Sequence, residues 1–411
     1  MINLISSGPL DGIRILDLSH TLSGPMAAMI LGDYGAEIIK IENPNLGDET
    51  RSWGPPFLES KDEKESAYFL CLNRNKKSVT VNIKDPRGQE ILHELAKKSD
   101  VFIANFPSGK LEKYRLNWDF MKNLNDKLVY VNISGYGQEG PYAKRPAYDL
   151  IMEGESGLTD LISRLANSKK PLTAGLPVSD IFTALYAHGA VMAGIIQRSR
   201  TGKGVYLETS LFESQLSALT NYASNVLINT KNGNMKSIDD SSHHPTLTPY
   251  QPFPAKDDVY FNIAALNNGQ FERLCQVLGH PEWCQDVRFK DNHSRTENRA
   301  VLIDLITVET KKESVDHWIQ ELNKVEVPCG KINTIEEALK HPQIEPCRMI
   351  QTLKHSKLGS IELVGPAVKV ENYEIEGTAP PTLGQDTKTI LKELLNKTEK
   401  EIEELYNEKV I

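Results

Sequence analysis

Through its first half the chain alternates short apolar runs with stretches whose apolar residues recur every three or four positions, and few architectures accommodate that alternation. Strand-like runs at Ile13–Leu18, Glu37–Ile41, Val79–Ile83, Val101–Asn105 and Leu128–Ile133 are separated by helix signals. These lie at Pro25–Tyr34, closed by Gly35, from Asp85-Pro86 through Lys98, and at Leu111–Leu124. Consecutive parallel strands need a crossover, and a helix is the usual one. The pattern therefore predicts βαβ units building a mostly parallel, Rossmann-like sheet covered on both faces.

Asp180–Arg198 reads as one long helix, and Val205–Thr209 as a sixth short strand. Ser210-x-x-Glu213 then forms a capping box for a helix carrying Leu211, Leu216, Leu219 and Val226. Lys231–Pro249 is polar and rich in turn residues, which marks a linker. A small α+β domain is expected at 250–330, with a strand at Val259–Ile263 and helices at Gly269–Leu278, Arg295–Thr310 and Ser314–Asn323. The division is thus 1–205, a large Rossmann-like part; 206–249, helix and linker; 250–330, the small domain; and 331–411, a return segment. That last segment holds a hairpin-like stretch, Leu353–Val370, and a tail helix opened by the box Thr398-x-x-Glu401. At 411 residues the chain has the length of two domains or more.

Composition removes several function classes. Lys and Arg number 47 against 55 Asp and Glu, a net charge of −8 without a basic block, so the footprint of a nucleic-acid or anionic-membrane binder is missing. The five cysteines, Cys71, Cys275, Cys284, Cys329 and Cys347, are odd in number and never C-x-x-C, which argues against a disulfide framework and a zinc site and for a reducing compartment. Ile181–Gln197, the longest weakly polar stretch, contains His188 and two glycines and falls short of the roughly 20 apolar residues of a span, so no membrane helix is expected. Met1–Pro9 shows no targeting pattern. The expected location is the cytoplasm, with the mitochondrial matrix as the alternative.

Several motifs mislead. Gly135-Tyr136-Gly137-Gln138-Glu139-Gly140 has dinucleotide-loop spacing, but Pro141 and Pro146 forbid the helix that would hold a pyrophosphate, leaving a loop near substrate. Thr201-Gly202-Lys203-Gly204 lacks the first Gly and the final Ser/Thr of a phosphate loop. His243-His244 has no third ligand at a recognised spacing, so no metal is expected, and no G-x-S-x-G nucleophile elbow occurs.

What remains is a collinear set of blocks. Pro9–Leu18, Ser23-Gly24-Pro25, Leu31–Glu42, Asn73–Ser78, Ala104-Asn105-Phe106, Ser134–Gly137, Tyr148-Asp149, Val178-Ser179-Asp180 and Arg198-x-x-Thr201-Gly202-Lys203-Gly204 together resemble the family III CoA-transferases of CaiB/BaiF type. Asn267–Phe271, Val327–Gly330, Leu363–Ala367 and Pro380–Gln385 extend the likeness. They resemble most the dicarboxylate branch, which moves CoA from succinyl-CoA to a glutarate-like acceptor. The resemblance implies acyl-CoA and a carboxylic acid as substrates, with no cofactor beyond CoA as carrier and no metal.

The chemistry implied agrees with the residues. Exchange of one thioester for another is nearly energy-neutral and needs no ATP, metal or redox group. It needs a carboxylate nucleophile, and an ordinary Asp is ionised at neutral pH. In the family that role falls on the position of Asp180, which forms first a mixed anhydride and then an aspartyl-CoA thioester. From the residues alone, Asp180 is equally an N-cap, since a long helix starts there, and capping would depress its pKa. Leu22, Ser23, Asn73, Lys76, Asn105, Phe106, Lys113 and Tyr148 fall on family positions near CoA.

Departures from the formyl-CoA transferases bear on substrate. Leu22 replaces a Gln beside the reaction centre, Asn43 an Arg facing the CoA phosphates, and Pro107 a Gly. The four-glycine loop of those enzymes is absent, since the stretch reads His243–Tyr250. Formate and oxalate are thereby disfavoured against a larger dicarboxylate. Racemases of similar fold carry His-Asp where this chain has Tyr148-Asp149, and a phenol is a poor base at neutral pH. A CoA-binding protein without turnover is a third reading, which retention of Asp180 disfavours. The family's assembly is an intertwined homodimer of interlocked rings, each chain's two ends completing one large domain.

Overall fold

The computed structural model describes residues 8–411 except 62, 232–243, 245 and 376. Six parallel strands form the central sheet: β1 (Arg14–Asp17), β2 (Glu37–Glu42), β3 (Lys76–Thr80), β4 (Val101–Ala104), β5 (Val129–Ser134) and β6 (Val205–Ser210). Their order across the sheet is β3-β2-β1-β4-β5-β6, so the winding reverses between β1 and β4. In such sheets the crevice outside the strand C-termini at the reversal is where ligands bind. Neighbouring residues along each strand face opposite ways, which sorts the core into two layers. Leu16, Ile39 and Phe102 join one cluster, while Ile15, Ile38 and Val101 join the other.

The main helices of this part are α1 (Ser23–Asp33), α2 (Pro86–Lys97), α3 (Asp149–Glu155), α4 (Val178–Thr201), α5 (Leu211–Ala218) and α6 (Thr220–Lys231). Asp85 caps α2 by accepting the N–H of Arg87, with Pro86 in the first turn, as its sequence indicates. Helix α4, at 24 residues and with an 18-residue window of mean hydropathy 1.3, is by length and composition long enough to cross a membrane, longer than the stretch considered from sequence. It lays Ala184, Ala187 and Val191 against Val129, Val131 and Ile133 of β5. A Cβ on Gly194 would come within 2.4 Å of Val129 Cγ1, so small residues let this helix lie close on the sheet.

Three elements depart from expectation. The third strand runs Lys76–Thr80 and not Val79–Ile83, because Lys76 turns inward to pair with Asp17 and so extends the strand through polar residues. Leu111–Leu124 is a 3₁₀ turn, Glu112–Tyr114, then left-handed Arg115, then a helix at Trp118–Leu124. The helix opened by Ser210 breaks at Thr220, whose φ is 23°. Ser210 Oγ accepts the Glu213 N–H but donates to the Glu213 carboxylate, so only half of that capping box forms. The box at Thr398 and Glu401 forms fully, and the hairpin appears as β10 (Ile350–His355) paired antiparallel with β11 (Gly359–Val364).

Two compact units emerge. One takes the chain up to Leu158, Ala174–Ile228 and Gln343–Ile411; the other takes Thr159–Thr173 and Asn229–Pro342. In the first, C-terminal residues Ile390, Leu391, Ile402 and Val410 complete the core beside the sheet, and Asn82 donates to the Val410 carbonyl at 2.8 Å. The second has a three-stranded antiparallel sheet, β7 (Tyr250–Pro254), β8 (Tyr260–Ala264) and β9 (Cys329–Lys331), with β8 central. Phe253, Phe261, Phe271, Phe289 and Trp318 fill its core. The expected linker falls largely on residues 232–243 and 245, and with it His243, outside the described residues.

Candidate active site

The segment joining β1 to α1, Leu18–Leu22, lies at the point where the sheet reverses, and hydrogen bonds hold it along its length. Ser19 bonds the Asp17 carboxylate through both N–H and hydroxyl, and its carbonyl accepts from Lys40 Nζ at 2.9 Å. The His20 N–H donates to Asn105 Oδ1 at 2.9 Å while Asn105 Nδ2 donates back to the His20 carbonyl at 2.6 Å. Thr21, left-handed at φ 71°, donates its N–H to Asp48 Oδ1 at 3.2 Å, and Lys40 anchors that aspartate at 2.8 Å. The Phe106 ring stacks on His20 at 5.4 Å and 12°. Fixing a loop in advance removes the entropy that binding would otherwise cost.

Beyond that loop opens a cavity of about 200 Å³ whose lining includes His20, Ser23, Asn105, Phe106, Tyr148 and Asp180. Asp180 is not the helix cap: α4 begins at Val178 with Pro177 before it, which puts Asp180 in the first turn with its carboxylate toward Ser23 of α1. Its pKa is not depressed, contrary to expectation. Burial and then the charge of Asp149 push it up to about 6, against the pull of the Ser23 hydroxyl and N–H. At pH 7 about ten such carboxylates in eleven are ionised. Asp149 Oδ1 accepts the Asp180 N–H at 3.2 Å. Tyr68 also faces this pair; burial and the carboxylates of Asp180 and Asp149 push its phenol up to about 12.

A second cavity, about 170 Å³, adjoins at His20 and Phe106 and reaches Asn43, Asp48 and the β3 end, Val81–Lys84. Asn43 spends its side-chain oxygen on the N–H groups of Asn45 and Leu46. Among the described residues, the lysines lining this cavity are Lys40, which is buried and bonded, and Lys84.

The structure thus brings Ser23, Asn105, Phe106, Tyr148 and Asp180 together. Leu22 is buried beneath them at the start of α1. Three expectations are corrected. Lys76 does not face a ligand: its ammonium is fully buried, 3.2 Å from Asp17 and 2.8 Å from the Pro25 carbonyl, and burial depresses its pKa to about 8. Asn73 is likewise fully buried and donates to the Phe69 carbonyl at 2.9 Å. Lys113 is exposed on the 3₁₀ turn over the Tyr114 ring and does not line the Asp180 cavity. The sequence reading did not single out His20 and Lys84, which line these cavities, Tyr68, which faces Asp180, or the contact of Asp149 with Asp180. Lys84, directly after a strand-like run, carried a signal for a strand-end cation that the Asn73–Ser78 block drew away.

Comparison with known proteins follows the same lines. The pattern of CoA-transferase family III matches residues 10–387. A succinyl-CoA:glutarate CoA-transferase of Mus musculus is 40% identical over 407 residues, covering 99% of this chain and 91% of that protein. A succinate–glutarate CoA-transferase of Agrobacterium fabrum is 35% identical over 389 residues, covering 94% and 96%. A crystal structure of a CAIB/BAIF family protein from Brucella suis superposes with a TM-score of 0.80 at 35% identity, covering 95% of this chain and all of that one.

Proposed function

Since the chain belongs to CoA-transferase family III, we propose that it carries CoA from succinyl-CoA to a glutarate-like dicarboxylate, with Asp180 as the nucleophile. The observation that supports this most is the Asp180 carboxylate, poised in a cavity at the sheet reversal with its pKa raised to about 6. Such a carboxylate is ionised at neutral pH yet more basic than a solvated one, hence a better nucleophile.

In the first step an Asp180 oxygen attacks the thioester carbonyl, the C–S bond breaks and CoA leaves as thiolate. The thiolate then attacks the aspartyl carbonyl of the mixed anhydride, releasing succinate and forming aspartyl-CoA. The acceptor carboxylate reverses both steps. The Ser23 N–H and hydroxyl favour negative charge beside Asp180, and would do the same for the oxyanions these steps create. Tyr148, half-exposed at the cavity, stands where it can close over the acyl group. The adjoining cavity with Lys84 suits the nucleotide end of CoA.

The relatives named for succinate and glutarate support the choice of dicarboxylate. The reading includes an intertwined homodimer of interlocked rings. In support, α4 exposes Phe182, Leu185 and Tyr186 and α6 exposes Leu227, apolar side chains that a partner chain would cover.

The test is intact-mass spectrometry after mixing with succinyl-CoA alone. A CoA adduct on the Asp180 peptide, absent in Asp180→Ala and discharged by glutarate, is expected. No adduct, even with hydroxylamine trapping, would sink the nucleophile assignment, and an adduct that glutarate leaves intact would sink the acceptor class.

A further inference from the structure

We propose that Asp149 is a positioning residue for Asp180, capping the start of α4 from a neighbouring helix and holding a second negative charge against the nucleophile. The inference rests on Asp180 being that nucleophile. Helix α4 starts without a cap of its own, since Pro177 has no side-chain acceptor, and the N–H groups of its first turn need partners from elsewhere. Asp149, in the first turn of α3, supplies one: its Oδ1 accepts the Asp180 N–H at 3.2 Å, and it also faces the N–H and hydroxyl of Ser179. The bond fixes the backbone of the nucleophilic residue itself, so the aim of the carboxylate depends on it.

The charge matters separately. Asp180, Asp149 and Glu153 stand in a row, with Glu153 one turn beyond Asp149 on α3, buried, and accepting the Ala174 N–H at 3.1 Å. Burial raises the pKa of all three, and the charge of Asp149 raises both Asp180 and Glu153. Among the described residues, other charged or titratable groups near this row are Tyr68 from the short helix Ala67–Leu70, and His20, Glu49, Arg145 and Tyr148 of the cavity lining. Arg145 is held by Glu155 at 3.0 Å, and burial lowers the pKa of His20, favouring its neutral form. Like charges that cannot both be neutralised keep one carboxylate basic. An uncharged cap would make the same backbone bond and leave the Asp180 carboxylate alone; the charge of Asp149 raises it, which couples position to nucleophilicity.

The two roles separate by substitution. Asp149→Asn keeps an oxygen for the Asp180 N–H and removes the charge; Asp149→Ala removes both. Single-turnover acylation by succinyl-CoA is followed by intact mass across pH 4.5 to 8.5. In the wild type the rate should fall as pH drops through about 6. In Asp149→Asn that limb should move below 6 but only part of the way to the ordinary carboxylate range, because burial, the larger cause, remains, with the plateau at pH 8 reduced roughly five- to tenfold. Asp149→Ala should lose a further factor of ten or more at every pH. An unmoved acid limb in Asp149→Asn, or identical profiles in the two variants, would overturn the proposal. If Asp149→Ala does not fold, the position of the limb in Asp149→Asn decides alone. Failure of the wild type itself to form an adduct on Asp180 would instead refute the nucleophile assignment, and the proposal with it.

Discussion

Gly135 follows β5 at the lining of the cavity, and a single methyl group there should disable the site by displacing its neighbours. A Cβ built on Gly135 lies 2.2 Å from the Ala147 Cβ, while the next nearest atoms, Ala147 Cα and N, are at 3.6 and 3.9 Å. Two carbons rest at about 3.5–4.0 Å, so Gly135→Ala must open the gap by about 1.3–1.8 Å. The Gly135 carbonyl is tied to the Phe212 N–H at 3.0 Å, so the movement falls on Ala147 and its neighbours Tyr148 and Asp149. A bond of 3.2 Å between Asp149 and Asp180 does not survive a displacement of that size. Overpacking costs about 1–3 kcal/mol of stability, and misplacement by about 1 Å costs roughly a hundredfold in rate. Transfer of CoA from succinyl-CoA to glutarate, alongside thermal melts, measures both. Because the obstacle is one methyl, Gly135→Ala combined with Ala147→Gly should recover most of the rate, the nearest contact returning to 3.6 Å or more. Wild-type activity in Gly135→Ala, or a double variant no better than the single, would refute the reasoning.

Asp180 also burdens the fold. Its folded pKa of about 6 exceeds its unfolded value of 3.8, so the folded state holds the proton more tightly and stability falls as pH rises through that interval. Two units correspond to about 3 kcal/mol at most, and partial exposure reduces it. Asp180→Asn should therefore melt higher than wild type at pH 8, the gain vanishing below about pH 4; an equal or lower melting temperature at pH 8 contradicts this. Lys76→Met leaves buried Asp17 without that partner, and breaking a buried pair from one side costs about 3–5 kcal/mol. A lower denaturation midpoint with unchanged KM for succinyl-CoA is expected. The reverse pattern would restore Lys76 as a ligand.

Much of this was readable from the chain. Apolar runs such as Ile13–Leu18 and Leu128–Ile133 specify buried parallel strands because strands covered on both faces can carry few polar residues. Asp85-Pro86 and Thr398-x-x-Glu401 specify helix starts because capping is a contact between residues two or three apart. The blocks holding Asn105, Tyr148 and Asp180, far apart in the chain, supply three residues that line one cavity. Tertiary structure alone decided the charges. Whether Lys76 meets a ligand or Asp17, 59 residues away, depends on the pairing of β3, β2 and β1, since local sequence does not say which way a lysine on a strand points. Whether Asp180 is depressed by a cap or raised by Asp149, 31 residues earlier, depends on two helix starts converging. Propensity and capping act over a few residues and are written in the chain; desolvation and Coulomb interaction act through space, and only the folded protein sets them.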